Sequence, residues 1–133
     1  MSTATQPQEW DSIIKRVPKP SYKPETMIEI AILGNPDVGK TSLSKKYKDP
    51  NYDLSQYEKI KTIGIDTTTS YISICDNMVT KFKQWDTAGQ ESHANIVGAY
   101  VRKLDACLMV LNLCDPNGLQ SIFKWYDQLQ KVK

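Results

Sequence analysis

The sequence has few of the features that mark disulfide-rich, membrane-spanning or strongly basic proteins. Its 133 residues include three cysteines, one histidine and no apolar run long enough to cross a bilayer. Cys75, Cys107 and Cys114 lie in or beside apolar stretches without CxxC spacing, which predicts buried, reduced thiols rather than disulfides or a metal site. A formal net charge of +2 gives no electrostatic argument for binding nucleic acid or a membrane. The amino-terminus also lacks the apolar core of a signal peptide, so we expect one soluble, cytoplasmic domain.

The amino-terminal residues differ in composition from the rest of the chain. Four of the seven prolines fall within residues 1–26, which we interpret as a flexible N-terminal extension. Within it, apolar residues recur at helical spacing before Pro18, namely Trp10, Ile13, Ile14 and Val17. This pattern fits a short helix that docks on a partner or a membrane surface. The simpler interpretation is a tail that packs lightly or not at all.

Residues 27–133 alternate between strand-like and helix-like segments. Four segments are typical of strands, the last of them covered on both faces: MIEIAIL, TTSYISIC, MVTKFKQW and ACLMVLNLC. TSLSKKY predicts the start of a helix, KDPNYDLSQYEKIK a long loop and Asp76-Asn77 a turn. A second helix follows Gly118, and its predicted sheet-facing side consists of Leu119, Ile122, Phe123, Tyr126 and Leu129. This order predicts an α/β domain with a mostly parallel sheet and flanking helices.

The residues from Gly34 to Thr41 match the GxxxxGK[ST] pattern between a predicted strand and a predicted helix. Gly34 and Gly39 let the backbone turn tightly, so that successive N–H groups face an anion at a helix amino-terminus. Lys40 offers a positive charge to the β- and γ-phosphates, and the Thr41 hydroxyl is a suitable Mg²⁺ ligand. The remaining phosphate-contacting positions are assigned to Asp37, Val38 and Ser42. The Asp37 carboxylate must point to solvent, because it would otherwise repel a triphosphate.

A second cluster, Trp85-Asp-Thr-Ala-Gly-Gln-Glu, directly follows a predicted strand. Asp86 at the carboxyl end of that strand is placed to reach a Mg²⁺ ion held by the first loop. Gly89 allows its backbone N–H to approach the γ-phosphate, and Gln90 can orient a water molecule for in-line attack. An ordinary turn would explain this segment alone, but the combination with the upstream loop favours a nucleotide site.

Together these motifs resemble those of the Ras superfamily of small GTPases, and of its Rab-like members most closely. The resemblance rests on GNPDVGKT, KTIGID, WDTAGQE and AYVRKLDACLMVLNLCD, and it covers residues 27–133. It implies the N-terminal two thirds of a P-loop G domain that binds GTP or GDP with Mg²⁺. It also implies that Thr62 contacts Mg²⁺ and the γ-phosphate as part of switch I, and that Tyr52 packs edge-on against the base. His93 is expected to be a surface or partner-contacting residue.

The sequence departs from the family pattern in its second half. The guanine-reading motif Asn-Lys-x-Asp and the later Ser-Ala-Lys are absent, and the chain ends inside what resembles the third helix. The cysteines that would carry prenyl groups are absent too, so membrane association is not encoded here. We expect the ACLMVLNLC strand to expose an edge, and the chain to be a fragment or to be completed by a partner.

The leading interpretation is a Rab-like GTP-binding switch with slow hydrolysis, regulating vesicle traffic or related signalling. Its expected partners are effector proteins, an exchange factor and a GTPase-activating protein that supplies an arginine, since Arg16 and Arg102 are the only arginines. Recruitment to a membrane surface fits this interpretation, whereas nucleic-acid binding does not. The alternative is a non-catalytic interaction module that binds nucleotide weakly or not at all. An ATP-using P-loop enzyme is disfavoured by WDTAGQE.

Overall fold

A computed structural model describes residues 14–56, 65–74, 78–87 and 101–132. Within these ranges the chain forms strands β1 (Ile14–Val17), β2 (Thr26–Leu33), β3 (Ile65–Ile74), β4 (Met78–Thr87) and β5 (Ala106–Met109). The helices are α1 (Lys40–Lys48) and α2 (Gly118–Val132), and a single 3-10 turn covers Leu54–Gln56. The predicted α/β class is confirmed.

The strands form a mixed sheet in the order β1-β3-β4-β2-β5. β1 pairs antiparallel with β3, where Ile14 lies opposite Ile74. β2 pairs parallel with β5, where Leu33 lies opposite Met109. Because β2 and β5 run in the same direction, their carboxyl ends meet at one edge of the sheet. The loop that leaves β2 therefore starts beside the segment that leaves β5.

The strand β1 corrects the prediction for the amino-terminal segment. Residues 14–17 are extended rather than helical, and the ladder with β3 makes them a sheet edge instead of an unpacked tail. Ile14 and Val17 are β-branched residues, which suit a strand, so pairing with β3 outweighs the helical spacing. Trp10 and Ile13 lie outside the described residues. The boundary between an extension and a domain at residues 26 and 27 stays a prediction.

The strand predicted over ACLMVLNLC is shorter and more exposed than expected. β5 ends at Met109, and Leu108 remains 44% exposed. The prediction that both faces of this strand are covered is therefore wrong among the described residues. The cysteine prediction needs a similar correction, because Cys107 is partly buried whereas Cys114 is exposed. Cys75 lies outside the described residues.

The buried side of α2 also differs from the predicted one. Leu129 is buried as expected, but Leu119, Phe123 and Tyr126 are 63%, 60% and 52% exposed. The side that packs inward is instead formed by Ser121, Trp125 and Leu129, which recur every four residues. A helix with apolar residues on two sides does not reveal from its own sequence which side is covered.

The described residues fall into two compact units. The first comprises residues 14–28, 69–74 and 78–83, and the Thr80 hydroxyl, 1% exposed, hydrogen-bonds that of Thr26 at 3.4 Å within it. The second comprises residues 29–56, 65–68, 84–87 and 101–132. Its hydrophobic core consists of Ala31, Leu33, Val101, Trp125 and Leu129.

Neither helix of the described chain has the length and apolar character needed to cross a membrane.

Candidate nucleotide-binding site

The loop between β2 and α1 has the backbone geometry of an anion cradle. Gly34 and Gly39 adopt positive φ angles of 152° and 99°, and Asp37 adopts 62°. Gly39 is the N-cap of α1, and no side chain caps the helix there. The first turn of α1 also lacks acidic residues, so its amino-terminal N–H groups and helix dipole favour a bound anion.

Lys40 folds back across this loop. Its side chain is 5% exposed, and its ammonium group donates hydrogen bonds to the carbonyl oxygens of Gly34 at 2.8 Å and Asn35 at 2.9 Å. A buried ammonium group is stable only when such acceptors or an anion surround it. The geometry therefore holds a positive charge over the loop, where phosphate oxygens could exchange for the carbonyl contacts.

Asp86 stands at the end of β4 next to the start of α1. Its carboxylate is 4% exposed and accepts a hydrogen bond from the Thr41 hydroxyl, while its Oδ1 atom has no hydrogen-bond partner among the residues that the structure describes. The neighbouring Thr87 hydroxyl donates to the Ile32 carbonyl oxygen at 2.9 Å and fixes the end of β4 to β2. A buried, unpartnered carboxylate oxygen beside a hydroxyl is a suitable pair of hard ligands for Mg²⁺.

Burial of Asp86 raises the pKa of its carboxyl group above the ordinary value. The negative charge of Asp66 raises it further, whereas the Thr41 hydrogen bond and the positive charges of Lys40 and Lys45 lower it. Desolvation outweighs these favourable contacts, so the ionised carboxylate is poorly compensated without a cation.

Replacing Asp86 with asparagine is expected to stabilise the metal-free fold near neutral pH. Below pH 3.8, the unfolded-state pKa, Asp86 is protonated in both states, and the buried neutral carboxyl group leaves the wild-type fold fully stable. Because the folded-state pKa is raised, this stability of the wild-type protein is lost as the pH rises through the folded-state pKa. The advantage of Asp86→Asn should thus be absent below pH 3.8, grow as the pH rises from 3.8 to the folded-state pKa, and be complete above that pKa. Thermal unfolding of both proteins in EDTA across this range measures the difference. An advantage that does not change with pH would contradict the assignment.

The other predicted site residues are partly within the described region. The Asp37 side chain is exposed, and Val38 and Ser42 are partly buried. Tyr52 is tied to α1, since the Lys45 ammonium lies 5.5 Å from its ring centroid and Lys46 donates to its carbonyl oxygen at 3.0 Å. Thr62, Gly89, Gln90 and His93 lie outside the described residues, so their predicted roles remain predictions.

Three residues near the site were missed by sequence reasoning. Asp66 acts on Asp86 electrostatically, and the Trp125 indole N–H donates to the Asn35 side-chain oxygen at 3.1 Å. Asn35 lies inside the quoted motif, but nothing in the motif requires a polar side chain at that position. Asn35 and Trp125 are 90 residues apart in sequence, so no local pattern could have linked them.

Comparisons with known proteins match this chain to the Ras family over residues 29–133. Ras-related protein Rab-7b of Paramecium octaurelia is 37% identical over 77% of this chain and 48% of its own length. Ras-related protein Rab7 of Drosophila melanogaster is 34% identical, and the Ypt/Rab-type GTPase YPT7 of Saccharomyces cerevisiae is 32% identical, each over 81% of this chain and 50% of its own length. The chain thus spans about half the length of these relatives.

Proposed function

The chain belongs to the Ras family and is Rab-like, and we propose that it is a GTP-binding molecular switch that hydrolyses GTP slowly and acts in vesicle traffic. The observation that carries the proposal is one site that brings together the buried Lys40 ammonium and the Thr41–Asp86 pair. Positive charge, an open helix amino-terminus and a metal-ligating pair are the features that a nucleoside triphosphate requires.

The chain's own residues account for phosphate binding. Lys40 would exchange its carbonyl contacts for β- and γ-phosphate oxygens, because charge-assisted hydrogen bonds to phosphate are the stronger ones. The N–H groups of the loop and of the first turn of α1, including those of Val38 and Ser42, would surround the phosphates. The exposed Asp37 carboxylate stays away from them.

Thr41 and Asp86 would hold Mg²⁺, with Thr62 as a further ligand in the triphosphate state. The unpartnered Oδ1 of Asp86 fits this role, since it lies buried beside the Thr41 hydroxyl. When bound, Mg²⁺ neutralises phosphate charge and so assists phosphoryl transfer. Hydrolysis would release Thr62 and Gly89 from the γ-phosphate and thereby change the surface that effectors bind.

We propose that Gln90 orients the attacking water, while Lys40 stabilises the charge that develops on the phosphates. Arg102 donates from Nε to the Val132 carbonyl oxygen at 3.0 Å, at the carboxyl end of α2. With Arg102 engaged there, a GTPase-activating protein would supply the catalytic arginine, and an exchange factor would reload the switch. The protein would act in the cytoplasm and be recruited to a membrane surface.

Gln90→Leu is expected to leave nucleotide affinity unchanged while slowing GTP hydrolysis by about tenfold, equivalent to about 1.4 kcal/mol of lost transition-state stabilisation. Leucine preserves the size of the side chain but cannot hold a water molecule. Phosphate release in a single turnover of preloaded protein measures the effect. The matched control is Gln130→Leu, which changes an exposed glutamine of α2. Unchanged turnover in Gln90→Leu would remove this residue from the mechanism.

Identification of the nucleotide that copurifies with the protein tests the proposed function. Purified protein is denatured, and the released nucleotide is separated and identified by mass spectrometry. GDP or GTP supports the proposal, whereas ADP or ATP contradicts guanine binding. An empty protein that also fails to bind added guanine nucleotide favours the alternative, a non-catalytic interaction module.

A further inference from the structure

A hydrogen bond joins helix α2 to the phosphate-binding loop. The indole Nε1–H of Trp125 donates to Oδ1 of Asn35 at 3.1 Å. Trp125 is 7% exposed and belongs to the hydrophobic core, where it clusters with Leu33 and Leu129. Because the ring is fixed by packing, its N–H group presents a fixed donor to the loop.

The residue that receives this bond also holds Lys40. The Asn35 carbonyl oxygen accepts from the Lys40 ammonium at 2.9 Å, while its side-chain oxygen accepts from Trp125. Asn35 thereby links the core to the charged group of the site. Of the next two residues, Pro36 has no N–H to donate, and Asp37 adopts a positive φ of 62°.

We propose that Trp125 is a positioning residue for the phosphate-binding loop and acts through the side chain of Asn35. The bond holds the beginning of the loop against the core, so that the loop backbone is already placed when Lys40 exchanges its carbonyl contacts for a phosphate. This inference rests on the proposed function, because its effect is on a bound nucleotide.

The test uses two single variants and their combination. Trp125→Phe removes the donor but keeps an aromatic ring in the core, and Asn35→Ala removes the acceptor. The release rate of a fluorescent GDP analogue in Mg²⁺ should rise by about three- to tenfold in each variant, as expected for one lost hydrogen bond. The double variant should release no faster than the single variants, because both remove the same bond.

The matched control is Trp85→Phe. Trp85 is also an indole packed against the core, but its Nε1–H donates to Glu29 Oε2 at 3.2 Å rather than to the loop. Thermal unfolding separates a general loss of packing from a loop effect. Trp125→Phe should release nucleotide faster than Trp85→Phe even where both lower the melting temperature equally.

The outcomes distinguish this inference from the function on which it rests. Faster release in Trp125→Phe and Asn35→Ala, without additivity in the double variant, supports the positioning role. Wild-type-like release in Trp125→Phe, or fully additive effects, overturns the positioning role and leaves the proposed function intact. A wild-type protein that binds no guanine nucleotide contradicts both.

Discussion

Replacing Lys40 by alanine is expected to weaken binding of GDP and GTP by at least about two orders of magnitude. The Lys40 ammonium contacts the Gly34 and Asn35 carbonyl oxygens at 2.8 and 2.9 Å, which places its charge over the loop rather than in solvent. Hydrogen bonds to charged groups contribute about 1.5–3 kcal/mol each. Two such bonds to phosphate, lost together, correspond to a roughly 10²- to 10⁴-fold change in affinity.

The same substitution should affect folding less than binding. The Asn35 carbonyl lies in a partly exposed part of the loop, so water can replace the ammonium group there. Titration with a fluorescent GDP analogue measures the affinity, and thermal unfolding with and without nucleotide measures the linked stability. In Lys40→Ala the nucleotide-dependent rise in melting temperature should disappear.

The matched control for Lys40→Ala is Lys48→Ala. Lys48 is exposed at the last position of α1, about 12 Å along the helix axis from Lys40. Both variants remove one lysine from the same helix, so the net charge changes equally. Equal loss of affinity in the two variants, or retained affinity in Lys40→Ala, would contradict a phosphate-binding role for Lys40.

The geometry of the loop between β2 and α1 could be predicted because its information is local. Gly34, Gly39 and Lys40 lie within seven consecutive residues, and each has a geometric reason that can be stated without knowing the rest of the fold. The structure has the expected positive φ angles at both glycines and the helix start at Lys40. Asp86 could be placed for a similar reason, since the second motif begins where a predicted strand ends, and Asp86 lies at the carboxyl end of β4.

The contacts that depend on packing could not be predicted. Both sides of α2 carry apolar residues, and the sequence pattern favoured the side of Leu119 and Phe123 over that of Trp125. Burial of a tryptophan requires a partner for its indole N–H, and Asn35 supplies it from a distant part of the chain. Hydrophobic periodicity contains no information about such a partner.

Strand pairing could not be predicted from the sequence for the same reason. Residues 14–17 show helical spacing of apolar side chains, yet they form β1 because β3 offers an edge on which to pair. At β5 the apolar run continues to Cys114, but the strand ends at Met109. Whether a short apolar segment becomes a strand, and where that strand ends, depends on the neighbouring chain.

Replacing Gly34 by alanine is expected to unfold the loop and the adjacent strands together. A Cβ atom at Gly34 would overlap the Val110 carbonyl oxygen and lie 3.1 Å from Val38 Cγ2. The Val110 backbone is held in place, since its N–H donates to the Leu33 carbonyl oxygen at 2.7 Å. The positive φ of 152° adds about 1–3 kcal/mol of backbone strain for a residue other than glycine. We expect a total destabilisation larger than this strain alone.

Gly39→Ala is the control that separates strain from overlap. Its φ of 99° is also unfavourable for alanine, but a Cβ atom there would meet no atom of the described residues within 4 Å. In urea unfolding, Gly39→Ala should therefore lower the free energy of unfolding only by the backbone strain. Its methyl group would lie where the proposed phosphate binds, so this variant should also bind nucleotide more weakly. Gly34→Ala should lose stability and binding together. If both variants unfold at the same urea concentration, then contact with Val110 does not explain why glycine occupies position 34.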